Sequence, residues 1–292
     1  MTTTIEPRGP FSLHELATFA FGPRQSASFD GVLRMAFCVD GYRQAAGVEV
    51  RQDEAGVHVV VHGPADPDVV TAQVARILSL DHDGDAFLEV GRRDPVIGRL
   101  QEVAPGLRPP QFHSPYEAAA WSVLSARRPA RQMARVRDEL CEAYGTGFVL
   151  AGERCHAFPT PEALLSVTDL GIGEPKLTRL HAVARAALDG RLDVERLAAV
   201  APDQAIAKLR ELPGIGPFYA SLVLVRACGL ADVLVVNEAT ALDAMARLYG
   251  LPGPPGPDEV ARLAEPWRPF RTWAAVLIRA ASSRLDRTAA VS

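Results

Sequence analysis

The segment that most constrains the fold is Leu212-Pro-Gly-Ile-Gly-Pro-Phe218, because it separates two stretches with the hydrophobic spacing of helices. The spacing predicts one helix from Asp203 to Glu211, which Pro213 and Gly214 end. A second helix is predicted to begin at Pro217, since the first helical position does not need the N–H that proline lacks. The sequence therefore predicts two helices joined by a glycine-containing turn.

Such a turn leaves backbone N–H groups pointing outward, and these groups and the helix dipole both favour an anion. We predict phosphate binding at the backbone of Gly214, Ile215, Gly216 and Phe218, and we expect Gly216 to keep the turn tight. The alternative is an ordinary helical corner, because a turn of this kind is common between two helices.

Composition limits the remaining possibilities. The 292 residues are enough for two domains, and the net charge of −4 means that any DNA-binding basic surface must be local. The four cysteines are scattered without a CxxC pair, which argues against a metal cluster and favours a reducing, cytoplasmic setting. No signal-like N-terminus and no apolar run of membrane-spanning length is visible, so no membrane partner is expected.

Along the chain, we expect residues 1–10 to be a loose arm. Period-two, β-branched segments then predict an antiparallel sheet. Residues 97–114 are predicted to bridge to a helical region that closes with a helix over Trp267–Ser283. We therefore predict an α+β fold: a small antiparallel-sheet N-terminal domain at 1–104, followed by an all-α helix-hairpin-helix domain at 105–292. The predicted strands are Val32–Val39, Ala45–Arg51 and Gly56–His62.

Three successive motifs carry a family resemblance: the 212–218 turn, Gly229-Leu-Ala-Asp232 and Val235-Val-Asn-Glu-Ala239. Together they resemble the helix-hairpin-helix DNA glycosylases, and within these the 3-methyladenine DNA glycosylase II group. Ala104–Pro110 and Trp267–Trp273 also stand in the order of that family. The resemblance implies DNA as partner, a role in alkylation damage and a monomer associated with the nucleoid.

The resemblance places the carboxylate of the reaction 24 residues after the first hairpin glycine, which is Glu238 here, preceded by Asn237. The family uses an aspartate, so the acid is kept but is one methylene longer. A displacement of about 1 Å in such a group costs on the order of a hundredfold in rate. The alternative is that Glu238 is only an acid at a helix start. Asp232 and Asp243 are the fallback acids, the former as a structural aspartate and the latter as a solvated residue.

The family's aromatic base pocket maps onto Phe218, Leu222 and Arg279. One aromatic is retained, one is aliphatic and one is a guanidinium, which would repel a cationic purine rather than stack on it. Arg279 could instead pair with Glu238, or extend out of the last helix and touch neither. This pocket does not match a cationic base.

The family's apolar wedge maps onto Arg127, with Arg128 and Arg131 beside it. A charged residue cannot replace a desolvated wedge between stacked bases at equal cost, but it can bind phosphates or a narrow minor groove. The alternative is a solvated turn between helices. We expect this arginine cluster to contact DNA.

The resemblance also implies a monovalent cation bound by the turn carbonyls of Arg210, Leu212 and Gly214; no other cofactor is expected, and the four clustered cysteines of an iron–sulfur site are lacking. We interpret the chain as a DNA-binding protein of the glycosylase superfamily in the response to alkylation damage, with base excision weak or lost and with distorted or branched DNA as a suitable ligand. The alternative is an active N-glycosylase for modified purines that uses Glu238, so whether the protein is an enzyme stays open.

Overall fold

The computed structural model describes residues 2–23, 29–235 and 238–289, with side chains through residue 285. Val236 and Asn237 of the last motif lie outside the described residues. The first part of the chain forms four strands and four helices. In order these are β1 (Thr2–Ile5), α1 (Leu13–Thr18), β2 (Leu33–Cys38), β3 (Ala45–Asp53), β4 (Gly56–His62), α2 (Pro67–Ile77), α3 (Gly84–Arg93) and α4 (Pro95–Val103).

The four strands form one antiparallel sheet in the order β1-β4-β3-β2. The three predicted strands are confirmed, and Val48 lies opposite Val61 at the centre of the sheet. The expectation of a loose arm over residues 1–10 is wrong for the strand: β1 pairs with β4, with Thr2 opposite Val60. The β-branched run Thr2–Ile5 suits an extended edge, and its pairing satisfies backbone groups of β4 that would otherwise be open.

The second part of the chain is mainly helical. The predicted α+β class is confirmed, with the addition of a short two-stranded β-hairpin that packs on β2 and β3. None of the described helices is both long and apolar enough to cross a membrane. The elements are α5 (Pro115–Ser125), α6 (Ala130–Tyr144), β5 (Gly147–Leu150), β6 (Glu153–His156), α7 (Pro161–Leu165), α8 (Glu174–Leu188), α9 (Val194–Ala198), α10 (Pro202–Arg210), α11 (Pro217–Ala227), α12 (Ala239–Tyr249), α13 (Pro257–Leu263) and α14 (Arg271–Ala289).

Two boundaries differ from the sequence prediction. The bridge expected at 97–114 begins later, because α4 carries the buried Ile97 and Leu100 on one helical face. The last helix begins at Arg271 rather than Trp267, since Pro269 has no N–H to donate within a helix and a short 3₁₀ turn over Glu265–Trp267 precedes it.

Hydrophobic side chains collect in three main clusters. One lies between the sheet and α1 and α2, and a second fills the space among α5–α11. The third joins α3 and α4 to α12–α14, with Trp267 and Trp273 at its centre. Helices on both sides of residue 104 thus share a core, and the division at 104 stays a prediction. The α11 helix of the second cluster faces α12 and α14 of the third, and a cavity lies between them.

Candidate nucleic-acid interface and base pocket

The hairpin turn is held by its own backbone. The Ile215 N–H donates to the Leu212 carbonyl at 3.0 Å, and the Ile215 side chain is buried in the helical core. Gly214 has a φ of +91°, which disfavours residues with a Cβ, and the stem of Arg179 packs against it. The turn that the sequence predicts between α10 and α11 is therefore present, and local contacts fix it.

Two details of the predicted phosphate site change. The Ile215 N–H is already donated within the turn, so it cannot point to an external anion. Gly216 does not tighten the turn. Its backbone is extended, with φ −82° and ψ 178°, and a Cβ added there would contact none of the described residues. It precedes the first residue of α11, where the described residues offer no partner to the N–H groups of Gly216, Phe218 and Tyr219. These donors fit an anion at a helix N-terminus.

The predicted cation site uses the carbonyls of Arg210, Leu212 and Gly214. Carbonyl oxygens are hard ligands that suit a monovalent cation. Among the described residues the Leu212 oxygen accepts a hydrogen bond only from the Ile215 N–H, which leaves one lone pair for an ion. These carbonyl oxygens are thus ligands of the type that such an ion takes, and binding of the ion stays a prediction.

The predicted wedge position lies in the turn between α5 and α6. Arg127, Arg128 and Arg131 are all exposed, and within the described chain none of them has an ion-pair partner. Arg127 has a φ of +56°, an unusual conformation for a residue with a side chain. The turn therefore presents three unpaired positive charges to solvent.

Lys176, which the sequence analysis did not select, lies beside this turn and binds the end of α5. Its ammonium group donates to the carbonyls of Leu124 and Ala126 (3.2 Å to Ala126), which end α5 without helical partners. Burial and the nearby Arg128 and Arg179 guanidinium groups lower the pKa of Lys176. We call the turn that holds Arg127, Arg128 and Arg131 the arginine turn. Arg179 lies close to Lys176 and packs on Gly214 of the hairpin, and we call the surface formed by these five basic side chains the basic face.

The predicted pocket residues lie together. A cavity of about 100 Å³ between α11, α12 and α14 is lined by Phe218, Leu222, Glu238 and Arg279. Phe218 is 42% exposed, and its ring meets that of Tyr219 edge-on at 5.3 Å. The Tyr219 hydroxyl lies 3.5 Å from the Ser125 hydroxyl on α5. The same end of α11 therefore borders the pocket, the hairpin and the arginine turn.

Glu238 and Arg279 form an ion pair across the cavity, with the Arg279 Nε donating to Glu238 Oε2 at 2.8 Å. Glu238 immediately precedes α12 and makes no side-chain capping bond to it, so its role as the reaction carboxylate and the alternative of an acid at a helix start both stay predictions. Arg279 does not extend away from the cavity, since Glu238 holds it there. The pairing that the sequence left open is the arrangement in the structure.

Arg226 is a pocket residue that the sequence analysis missed. It is 8% exposed, donates to the Pro110 carbonyl and stacks on the Phe21 ring, with 3.8 Å from Cζ to the ring centre. A single charge within the apolar α11 is the sequence feature that could have indicated it. Phe19 approaches Arg279 at 6.0 Å in a similar way, so the N-terminal segment borders the pocket.

The fallback acids lie elsewhere. Asp232 pairs with Arg271 at 2.8 Å and Arg268 at 3.1 Å, and accepts the N–H of Arg271. It thereby joins the loop after α11 to the start of α14. Asp243 is exposed on α12. Glu238 is thus the acid among these three that lines the cavity.

Comparison with known proteins places this geometry in context. No protein-family model matches the chain. Over 200 residues it is 24% identical to the DNA-3-methyladenine glycosylase of Bacillus subtilis. This match covers 67% of the chain and 66% of that protein. Over 207 residues it is 28% identical to the probable bifunctional transcriptional activator/DNA repair enzyme AlkA of Mycobacterium tuberculosis, covering 70% of the chain and 41% of that protein. The matches thus span just under two thirds of the first relative and about two fifths of the second.

The fold is similar to that of the 3-methyladenine DNA glycosylase from Archaeoglobus fulgidus. The two structures superpose with a TM-score of 0.77 over 98% of this chain and 99% of that one, at 19% sequence identity. At this identity the likeness concerns the fold alone.

Proposed function

We propose that this chain, which is similar to 3-methyladenine DNA glycosylases in sequence and in fold, binds damaged DNA while excising bases weakly or not at all. The observation that carries this proposal is the 2.8 Å ion pair between Arg279 and Glu238. The hairpin and the basic face supply the binding surface, and the paired carboxylate limits the chemistry.

Base excision by hydrolysis needs a carboxylate near the sugar, to stabilise an oxocarbenium-like transition state and orient water. Glu238 is the acid that lines the cavity, but one of its oxygens accepts a hydrogen bond from a cation. That guanidinium offsets the negative charge which the transition state requires. It also holds the carboxylate in one orientation, and the longer glutamate side chain changes its reach relative to an aspartate.

The arginine turn supports a preference for DNA that is already distorted. Arg127 stands where the family resemblance places an apolar wedge, and its exposed guanidinium is costly to insert between stacked bases. It is well suited to phosphates, as are the N–H groups of Gly216 and Phe218. Abasic or branched DNA requires less unstacking by the protein, so its affinity should exceed that of an intact duplex.

The second candidate function is active excision of modified bases, and one observation favours it. Glu238 lies in the cavity together with Phe218, so a carboxylate and an aromatic face are present at the same site. The ion pair is 40% exposed at both side chains, so water screens it, and an incoming nucleotide could separate the two groups.

Single-turnover base release separates the two functions. The substrates are duplexes carrying 3-methyladenine, 7-methylguanine, hypoxanthine or ethenoadenine. The proteins are the wild type, Glu238→Gln, Arg279→Met and the double variant that carries both substitutions. Fluorescence anisotropy on intact, abasic and four-way-junction DNA measures binding of the same preparations at several salt concentrations.

We expect salt-dependent binding, strongest for abasic or branched DNA, with slow or undetectable release by the wild type. Release that appears in Arg279→Met and disappears when Glu238→Gln is added would locate the block in the ion pair. Rapid wild-type release that Glu238→Gln abolishes would overturn the proposal and establish the second candidate.

A further inference from the structure

The ion pair leaves most of the Arg279 guanidinium open to the cavity. We propose that Arg279 is a specificity-determining residue, which selects a neutral base with carbonyl and ring-nitrogen acceptors and excludes a cationic one. This inference rests on the proposed function, because it requires that DNA binding brings an unstacked base to the cavity. It assigns a substrate class to the site rather than a rate.

Arg279 is held in a defined orientation. Its Nε donates to Glu238 Oε2 at 2.8 Å, and the Phe19 ring lies 6.0 Å from its Cζ. A guanidinium carries five N–H donors in a rigid plane and accepts none, and in the described structure its two terminal nitrogens have no partner. The Glu238 contact therefore fixes the plane and leaves a fork of donors available.

The other walls offer little competing recognition. Much of the lining is aliphatic, from Leu222, Val225, Val235, Ala241, Ala275 and Val276. The Thr272 hydroxyl is occupied, since it donates to the Val233 carbonyl at 2.8 Å and accepts the Val233 N–H at 3.1 Å. The Ser221 hydroxyl also lines the cavity and can donate one hydrogen bond, so a bidentate contact to a base there depends on Arg279.

The charge of the lining points to the same class of base. Arg226 and Arg279 contribute two positive charges and Glu238 one negative charge, which leaves the lining at +1. In DNA, a purine alkylated on N3 or N7 is a cation and has lost that nitrogen as an acceptor. A neutral 6-oxopurine keeps the adjacent O6 and N7 acceptors, which arginine binds bidentately. The lining therefore disfavours the former and suits the latter.

The cavity size is compatible with one ring of a base. Its volume of about 100 Å³ approaches that of an apolar cavity of about 150 Å³ known to hold benzene. Phe218 is 42% exposed beside it and offers a face for stacking. If one ring of the base enters the cavity and the base stacks on Phe218 at its rim, the edge that carries the acceptors lies within reach of the Arg279 N–H groups.

The test measures affinity instead of excision, so it works even if excision is lost. Duplexes carry one central hypoxanthine, 7-deazahypoxanthine, 7-methylguanine or abasic analogue opposite thymine, and binding is measured by anisotropy at mildly acidic pH, where 7-methylguanine is a cation. The proteins are wild type, Arg279→Met, and Arg154→Met as a charge-matched control on the exposed β6.

We expect the wild type and Arg154→Met to bind hypoxanthine DNA about tenfold more tightly than 7-methylguanine or 7-deazahypoxanthine DNA, the discrimination typical of one bidentate contact. Arg279→Met should remove that preference and leave abasic binding unchanged. Equal wild-type affinities for the three bases, or a preference that survives Arg279→Met, would overturn the inference while abasic binding still upholds the proposed function. Absence of binding to every DNA would overturn both.

Discussion

The hairpin and the base pocket lie at the same end of α11, yet they are built in different ways. The hairpin is held by local contacts. These are the backbone hydrogen bond from Ile215 to Leu212, the positive φ of Gly214 and the buried side chain of Ile215. The pocket is assembled from three helices, and its defining contact joins residues 41 positions apart. The part that we propose to position DNA agrees with the resembled family, whereas the part that would perform chemistry departs from it.

On the proposed function, this difference lets the scaffold keep its ligand while its reaction changes. Phosphate contacts position a protein on DNA without reading bases, so the hairpin serves any function carried out on DNA. The pocket, by contrast, would take one class of base on our proposal, and a single guanidinium alters both the charge of its lining and the surroundings of its carboxylate. The basic face then adds affinity that does not depend on an apolar wedge.

The largest expected effect is on the basic face. Replacing Arg127, Arg128 and Arg131 together by glutamine removes three exposed charges that lack partners among the described residues. If each contributes about 1 kcal/mol, DNA affinity falls on the order of a hundredfold. The slope of log affinity against log salt should also fall by about 3, close to one unit for each phosphate that an arginine no longer neutralises.

The measurement is a salt titration by anisotropy on abasic duplex. Arg154→Gln on β6 is the control for the removal of a single charge. Base selectivity should be unchanged in the triple variant, because the pocket does not contain these residues. An unaltered salt slope would mean that the arginine turn is only a solvated connection between helices.

An intermediate effect is expected at Gly216, where stability and binding can be separated. Gly216→Asp introduces a good N-cap at an open position with an ordinary φ, so stability should be kept or slightly raised. Its carboxylate would occupy the N–H groups at the start of α11 and repel a phosphate, and DNA affinity should fall about tenfold or more.

Gly216→Asn is the matched neutral control and should lose less affinity. Gly214→Ala should behave in the opposite way, with a loss of about 1–2 kcal/mol in unfolding free energy from its φ of +91°. Thermal unfolding and anisotropy on the same samples report both quantities. Tight DNA binding by Gly216→Asp would show that phosphate is not held at the hairpin.

The smallest expected effect is that of Arg127→Gly. Glycine accepts the φ of +56° without strain, so the free energy of unfolding should stay within about 1 kcal/mol of the wild type or rise. DNA affinity should nevertheless fall severalfold, because the variant removes one guanidinium of the basic face.

Denaturant unfolding and anisotropy measure the two changes, with Arg127→Lys as a variant that keeps the charge and the strain. Gain of stability together with loss of binding would indicate that a strained arginine is kept for DNA. Unchanged affinity would show that the positive φ of Arg127 does not serve DNA binding.

Much of the architecture follows from local sequence. The period-two segments predict β2, β3 and β4, and Ser114 before Pro115 predicts the start of α5, where the Ser114 hydroxyl caps the helix. The edge strand β1 is missed because a four-residue run acquires its strand character only by pairing with β4. The shared core of α4 and α14 is likewise invisible, since the two helices are far apart in the chain.

The sequence by itself determined the hairpin, because proline, glycine and a buried isoleucine fix a turn through neighbours a few residues away. By resemblance to a family it also named Phe218, Leu222 and Arg279 as pocket residues and Glu238 as the carboxylate of the reaction. Only the tertiary structure decided that Arg279 pairs with Glu238, that Arg226 adds a charge to the pocket and that Lys176 binds the end of α5 beside the arginine turn. Charge interactions of this kind depend on distance in space, which spacing along the chain does not specify.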